Sequence, residues 1–103
     1  AHCLAVYPAE EWERLSQKVA AIPESKGAQL KRWLFSGACE MVPDQQGRIL
    51  IPQDLRQFAG LEKDVVVIGA NNKAEIWNRA SWEIANAAVD LDEMMSVLDT
   101  LGF

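Results

Sequence analysis

An α+β fold is predicted for this chain of 103 residues. Short runs rich in β-branched and apolar residues, CLAVY at 3–7, RILI at 48–51 and VVVIGA at 65–70, have the length and composition of strands. Stretches with apolar residues three and four positions apart, above all 9–21 and 93–101, have the period of amphipathic helices. Pro and Gly punctuate the junctions. Half of the residues are hydrophobic and 24% are charged, which suits one packed domain at most, or part of one. No apolar run is long enough to cross a bilayer, and no signal-peptide pattern is present. The chain starts at Ala1, without Met, inside what reads as a strand, so a fragment or a chain lacking its front is expected.

The first strand, 3–7, is closed by Pro8. A helix follows over 9–21, with Trp12, Leu15, Val19 and Ile22 on one apolar face and Trp12 as a core anchor. Glu10, Glu11 and Glu13 lie in its first turn, where the helix dipole favours anions, and Pro23 ends it. Residues 24–27 read as a polar link. A second helix is expected over 28–35, with Leu30, Trp33 and Leu34 inward and Lys31 and Arg32 outside, either solvated or touching a phosphate or a subunit. Residues 38–42 read as a strand whose Glu40 faces solvent or a neighbouring subunit.

The run 41–60, MVPDQQGRILIPQDLRQFAG, carries the densest set of local signals. Pro43-Asp44 starts a turn, Asp44 can accept from backbone N–H groups ahead of it, and Gly47 can take a positive φ. A short strand, 48–51, follows. Pro52 suits the first turn of a helix, Leu55, Phe58 and Ala59 continue at helical spacing, and Gly60 stands where that helix stops. Asp44 and Arg48 bracket the turn. Two readings of Arg48 stand side by side: a structural latch, or a fork of donors held out to a phosphate or a base edge.

Beyond Gly60, 62–64 form a charged turn, and 65–70 read as a strand buried on both faces. Asn71-Asn72-Lys73 is a hairpin signal and 74–77 the return strand. Asn78 or Ser81 caps a helix running to about Val89, with Trp82, Ala85 and Ala88 or Val89 on its buried side. Asp90-Leu91-Asp92 breaks the pattern and can cap a last helix, 93–101, whose Met94, Met95, Leu98 and Leu101 stripe is expected to pack on its own chain, with docking on a partner as the alternative.

Cys3 and Cys39 sit among apolar neighbours and read as reduced core residues. With a single His and no Cys-x-x-Cys, no metal site and no cofactor are expected. No His is paired with a nucleophile, Gly60 and Gly69 stand isolated rather than cradling phosphate, and Asp44 and Asp54 suggest no shared site, so catalysis is not expected. The net charge of −5 opposes simple nucleic-acid binding. Positive charge would have to be concentrated locally or repeated by oligomerisation.

The D-x-x-G-R pattern (Asp44 to Arg48), followed by a hydrophobic strand, Pro52 and a short helix, resembles the AbrB-type swapped-hairpin DNA-binding domain. More narrowly, the order LAVYP at 4–8 with Glu11-Trp12, LFSGA at 34–38, DQQGRILIP at 44–52, Leu61-Glu62-Lys63, VVIG at 66–69, and Glu75-Ile76-Trp77 with Trp82-Glu83 is similar to the MraZ family. This resemblance implies an α+β swapped-hairpin AbrB-like split β-barrel with flanking helices, present here as a partial barrel. Residues 1–35 would be the end of a first half (a strand plus two linking helices), 36–78 the second half, and 79–103 the C-terminal helices, with the natural C-terminus nearby.

The resemblance further implies a sequence-specific DNA-binding transcriptional regulator of the bacterial division and cell-wall gene cluster. It would be cytoplasmic and nucleoid-associated, acting on tandem promoter repeats of double-stranded DNA as a ring-like homo-oligomer, with no membrane and no small-molecule substrate. Arg48 would contact DNA, with Gln45, Gln46 and Gly47 beside the backbone and Asp44 bracing the loop. The family has two such motifs per chain and this sequence shows one, so half a barrel is absent and edge pairing or strand exchange between chains is expected. Relatives often carry Lys before the motif glycine. Gln45 and Gln46 can still read adenine or bond phosphate, without Coulomb attraction. The competing reading is an assembly module of the same fold that binds no DNA by itself.

Overall fold

The computed structural model describes residues 2–102. In chain order the elements are β1 (Leu4–Val6), α1 (Ala9–Ala20), α2 (Glu24–Gly37), α3 (Gln53–Phe58), β2 (Val65–Gly69), β3 (Ala74–Asn78), α4 (Arg79–Ala87) and α5 (Leu91–Thr100). The fold is therefore mixed, built on a three-stranded antiparallel sheet of order β1-β3-β2.

The β2–β3 hairpin is set by its turn. Asn71 takes φ 66, a conformation Asn tolerates, and the Ala70 N–H donates to the Lys73 carbonyl at 2.8 Å. That register pairs Val67 with Ile76, while β1 pairs Leu4 with the same Ile76. Leu4, Ile76 and Ala59 form the buried core on this sheet face, with Val6, Ile51, Leu55 and Leu61 against it. The row continues to Val67, which is 64% exposed, so the core face runs out into solvent at its β2 end. Trp77 lies on the opposite face and packs edge-on against Trp82 of α4 at 5.7 Å between ring centroids.

Asn78 joins two of these parts. Its Oδ1 accepts from the Ser81 N–H at 3.1 Å and caps α4, and its Nδ2 donates to the Gly60 carbonyl at 2.8 Å. Gly60 itself ends α3 with φ 61. At the other end of the chain, Trp12 of α1 touches Tyr7 and, edge-on, Phe35 of α2. Gly27 lets α2 approach the end of α1: a Cβ there would lie 2.6 Å from Ile22 Cγ2. Glu11 ties α1 to the hairpin by accepting from Asn72 Nδ2 at 3.3 Å.

Several expectations are corrected. Residues 24–27 are the first turn of α2, since Pro23 takes the N-cap position and Glu24 sits in the first turn, where the dipole favours an anion. The faces of α2 also differ from expectation. Leu30 and Trp33 are exposed, whereas Lys31 lies half-buried with its ammonium 2.9 Å from Glu24. The Lys31 side chain is sheltered while its charged end finds a partner in Glu24. Cys3 is half-buried and Cys39 exposed, so neither is a core residue. β2 is half-buried on one side only, because no second layer covers Val65 and Val67. The last helices end at Ala87 and begin at Leu91, and all of α5 is exposed, so its Met and Leu stripe does not pack on this chain.

Residues 38–42 and 48–51 form no strand ladder; a strand needs a partner, and here each arm has none along its length. Val42 and Leu50 are 81% and 85% exposed at either side of the turn. The result is an open shape. The radius of gyration is 16.5 Å, against roughly 13 Å for a compact domain of this length. The surface of 8299 Å² exceeds the roughly 5,800 Å² of a compact monomer of this size.

Candidate nucleic-acid interface

The turn 44–48 is closed twice over, by backbone and by one carboxylate. The Asp44 N–H donates to the Arg48 carbonyl at 2.8 Å, and the Gly47 N–H donates to the Asp44 carbonyl at 2.9 Å. Asp44 Oδ1 accepts from the Gln46 N–H at 2.9 Å and from the Arg48 N–H at 2.8 Å. Its Oδ2 accepts from Arg48 Nε at 3.0 Å. Gly47 takes φ 79, and open space surrounds its Cα, so glycine serves here for its backbone freedom rather than for a close approach. The Arg48 backbone N–H, then the Arg48 side chain and the Gln46 N–H, hold the Asp44 carboxyl below its ordinary 3.8.

This arrangement leaves a defined part of Arg48 available. Nε bonds Asp44, and Nη2 donates to Gln46 Oε1 at 3.1 Å, so the side-on edge of the guanidinium is used inside the turn. Nη1 makes no hydrogen bond among the described residues, and the side chain is 74% exposed. A guanidinium has five N–H donors in a rigid plane. With the side-on edge taken, the end-on fork of Nη1 and the second Nη2 hydrogen still points outward. Latch and presented cation are thus compatible in one side chain. Gln45 is exposed and makes no hydrogen bond among the described residues, whereas Gln46 orients Arg48.

The turn carries no basic patch. The arm 38–52 bears Glu40 and Asp44 against Arg48 alone. The net charge of −5 has a definite location, however. Five of the fifteen acidic residues, Glu83, Asp90, Asp92, Glu93 and Asp99, lie beyond Arg79 in a segment without Lys or Arg. Residues 1–79 are therefore balanced, with ten basic side chains against the remaining ten acidic ones. Most of the acidic excess belongs to the C-terminal helices, although residues 36–78 still carry six acidic side chains against four basic ones. This segregation was readable from the charges along the chain, but the overall sum concealed it. Among the described residues no group of three or more His, Cys, Asp or Glu side chains could hold a metal ion. Burial pushes the Cys3 thiol up, with Glu75 adding to the effect, which keeps it protonated.

Comparison with known proteins fixes the family. The family model described as "MraZ protein, putative antitoxin-like" matches residues 34–96, which include the turn, α3, the hairpin and α4. A protein of Heliobacterium modesticaldum named transcriptional regulator MraZ is 48% identical over 100 residues, covering 93% of this chain and 70% of its own length. The chain belongs to the MraZ family. Two further MraZ proteins of the same name agree. That of Lachnoclostridium phytofermentans is 44% identical over 97% of this chain and 71% of its own, and that of Clostridium beijerinckii is 43% identical over 97% and 72%. The chain thus spans about seven-tenths of the length of these MraZ relatives.

No helix among the described residues is long and apolar enough to cross a membrane.

Proposed function

We propose that this chain is the DNA-contacting and assembling part of a transcriptional regulator, as its relatives' names suggest. It binds double-stranded DNA through the 44–48 turn, with Arg48 reaching phosphate or a base edge. Gln45 lies beside the backbone, Gln46 and Asp44 hold Arg48 in place, and Gly47 shapes the turn. The arms 38–42 and 48–51 complete a swapped-hairpin barrel with strands of another AbrB-like half, from the same polypeptide or a second copy. Copies form a ring over tandem promoter repeats of the division and cell-wall gene cluster, in the cytoplasm and associated with the nucleoid. No catalysis and no small-molecule substrate belong to this reading.

The observation that carries it is the divided use of Arg48. One edge is fixed by Asp44 and Gln46, so little side-chain entropy remains to be lost when the outward fork meets an anion. The bare arms support the barrel: Val42 and Leu50 are too exposed to be final surface, and unpaired edges of this kind are normally covered. The weak local charge supports assembly, because single-turn contacts without a basic patch need repetition to reach useful affinity.

The test is binding of the full-length protein and its Arg48→Ala variant to a tandem-repeat promoter fragment across a salt series. A lost end-on contact is worth about 1–3 kcal/mol per engaged turn, and the salt slope falls by about 1 for each phosphate contact removed. If the variant stays folded and binds as the wild type does, Arg48 is only a latch, and the chain is an assembly module.

A further inference from the structure

Two adjacent glutamines in the turn 44–48 are held differently. Gln45 is exposed and its amide makes no hydrogen bond among the described residues, so it can turn either its oxygen or its nitrogen to a ligand. Gln46 is also exposed, but its Oε1 accepts from Arg48 Nη2 at 3.1 Å. The polarity of that amide follows from its neighbour. A guanidinium carries only donors, so the oxygen of Gln46, never the nitrogen, faces it. Arg48 is fixed from its other side, by Nε on Asp44 Oδ2 at 3.0 Å, and the Gln46 backbone N–H is tied to Asp44 Oδ1 at 2.9 Å. The Gln46 side chain is thus anchored at its root and at its oxygen, while Nε2 makes no hydrogen bond among the described residues. Oε1 and Nε2 belong to one planar amide, which puts the two Nε2 hydrogens beside the outward fork of Arg48. The Asp44 carboxylate next to them is already engaged by three N–H groups.

We infer that Gln46 is a second reader in this turn, made donor-only by Arg48: its Nε2 engages a hydrogen-bond acceptor next to the one taken by the Arg48 fork. The chemistry selected is a pair of neighbouring acceptors with no donor between them. Phosphate oxygens supply it, and guanine supplies it through N7 and O6 in the major groove. Adenine does not. Glutamine reads adenine by accepting from N6 while donating to N7, and the Gln46 oxygen needed for the first of these bonds is spent on Arg48. Freeing that oxygen would release the Arg48 guanidinium from one of its two anchors. Gln45 keeps both a donor and an acceptor and carries no such selection. Two glutamines that look alike in the sequence therefore differ in what they can recognise, because only one of them lies within reach of Arg48. This inference rests on the turn as a DNA contact and names the edge that the turn takes.

The experiment measures binding of the full-length protein to the tandem-repeat promoter fragment for Gln46→Glu and Gln45→Glu, two exposed positions at which the same charge enters the same turn. Gln46→Glu keeps an oxygen for Arg48 Nη2 and removes the Nε2 donors. A residue that only positioned Arg48 would tolerate this as well as its neighbour does, whereas a donor-only reader now sets a carboxylate against an acceptor. Gln46→Glu is expected to bind about tenfold more weakly than Gln45→Glu, the scale of one lost hydrogen bond with repulsion added. Equal losses, or a smaller loss in Gln46→Glu, overturn the inference. The source of the acceptor is read from modified fragments. If it is guanine, the gap between the two variants closes where 7-deazaguanine removes N7, or where adenine replaces O6 by a donor amine. If it is phosphate, the gap closes at a single methylphosphonate and survives the base changes. A gap unchanged on every modified fragment also overturns the inference. Arg48→Ala separates this result from the reading beneath it. If Arg48→Ala binds as the wild type does, the DNA contact itself fails; if it loses binding while the two glutamate variants lose equally, the contact stands and only the role of Gln46 falls.

Discussion

Two tight turns in this chain do different work. The turn at Asn71-Asn72 closes a ladder in which β2 and β3 are paired residue by residue from Val65 and Asn78 to Gly69 and Ala74. The turn at 44–48 closes no ladder. It is held by two backbone bonds and by one carboxylate that accepts three N–H groups, and the arms on either side form no strand ladder. The first turn is a consequence of the sheet and contributes to it. The second keeps its shape without a sheet. A turn stabilised by its own side chains holds Arg48 in one orientation although its arms are unpaired.

The contrast can be broken most decisively by comparing two aliphatic truncations. Ile76 is 6% exposed at the centre of the sheet, and Leu50 is 85% exposed on the arm. Ile76→Ala should lower the unfolding free energy of the full-length protein by about 2–4 kcal/mol, as cavity-forming truncations do. If the arms complete a barrel in the assembled protein, Leu50→Ala should cost a comparable amount in urea denaturation. A change in Leu50→Ala within about 0.5 kcal/mol of zero, the usual range for a surface position, would show that the arm stays free.

A smaller effect sharpens the same comparison at the join between the motif half and the helices. Asn78 both caps α4 and reaches back to the carbonyl of Gly60, the residue that ends α3. Asn78→Ala should destabilise by about 1–2 kcal/mol in thermal melts. Asn78→Asp keeps the capping oxygen and loses only the Nδ2 donor, so its cost should be smaller than that of Ala. Equal costs for the two variants would assign the role to the Gly60 link rather than to the cap.

What was legible in the sequence follows the range of the interaction involved. Local chemistry was readable. Asp44 accepts the N–H groups ahead of it, Gly47 and Gly60 take positive φ, Asn71-Asn72 turns the hairpin, and Asn78 and Asp90 cap helices, because each effect spans only a few residues. The α+β class and the order of the helices and of the paired strands were readable for the same reason. Burial was not. Trp33 and Leu30 fit an inward helix face by period, but α2 meets α1 through Gly27 and Phe35, and Lys31 takes the sheltered position. Val65 to Ala70 has the composition of a two-sided strand, yet the layer packed on Leu4 and Ile76 does not extend over Val65 and Val67 on the same sheet face. The Met and Leu stripe of α5 was visible as a stripe, while its exposure throughout was not. Periodicity says that a face is apolar; only the assembled geometry says what covers it.

The smallest effect concerns the protonation of the motif turn itself. Asp44 binds a proton less readily in the folded turn than at its ordinary 3.8, chiefly because it accepts the Arg48 backbone N–H. A depressed carboxyl stabilises the turn fully above the unfolded value, and that contribution is lost as pH falls through the lower, folded value. Near neutral pH the turn is therefore insensitive to acid, and its opening belongs to the range below 3.8. In an NMR titration, the Gln46 and Arg48 amide resonances should move together with a midpoint below 3.8, while the Ala70 amide, which reports the β2–β3 turn, should not follow them. A midpoint at or above 3.8 would mean that the carboxylate does not hold the turn. The turn would then rest on its two backbone bonds, from the Asp44 N–H to the Arg48 carbonyl and from the Gly47 N–H to the Asp44 carbonyl, and Gln46 would be left to orient the Arg48 guanidinium.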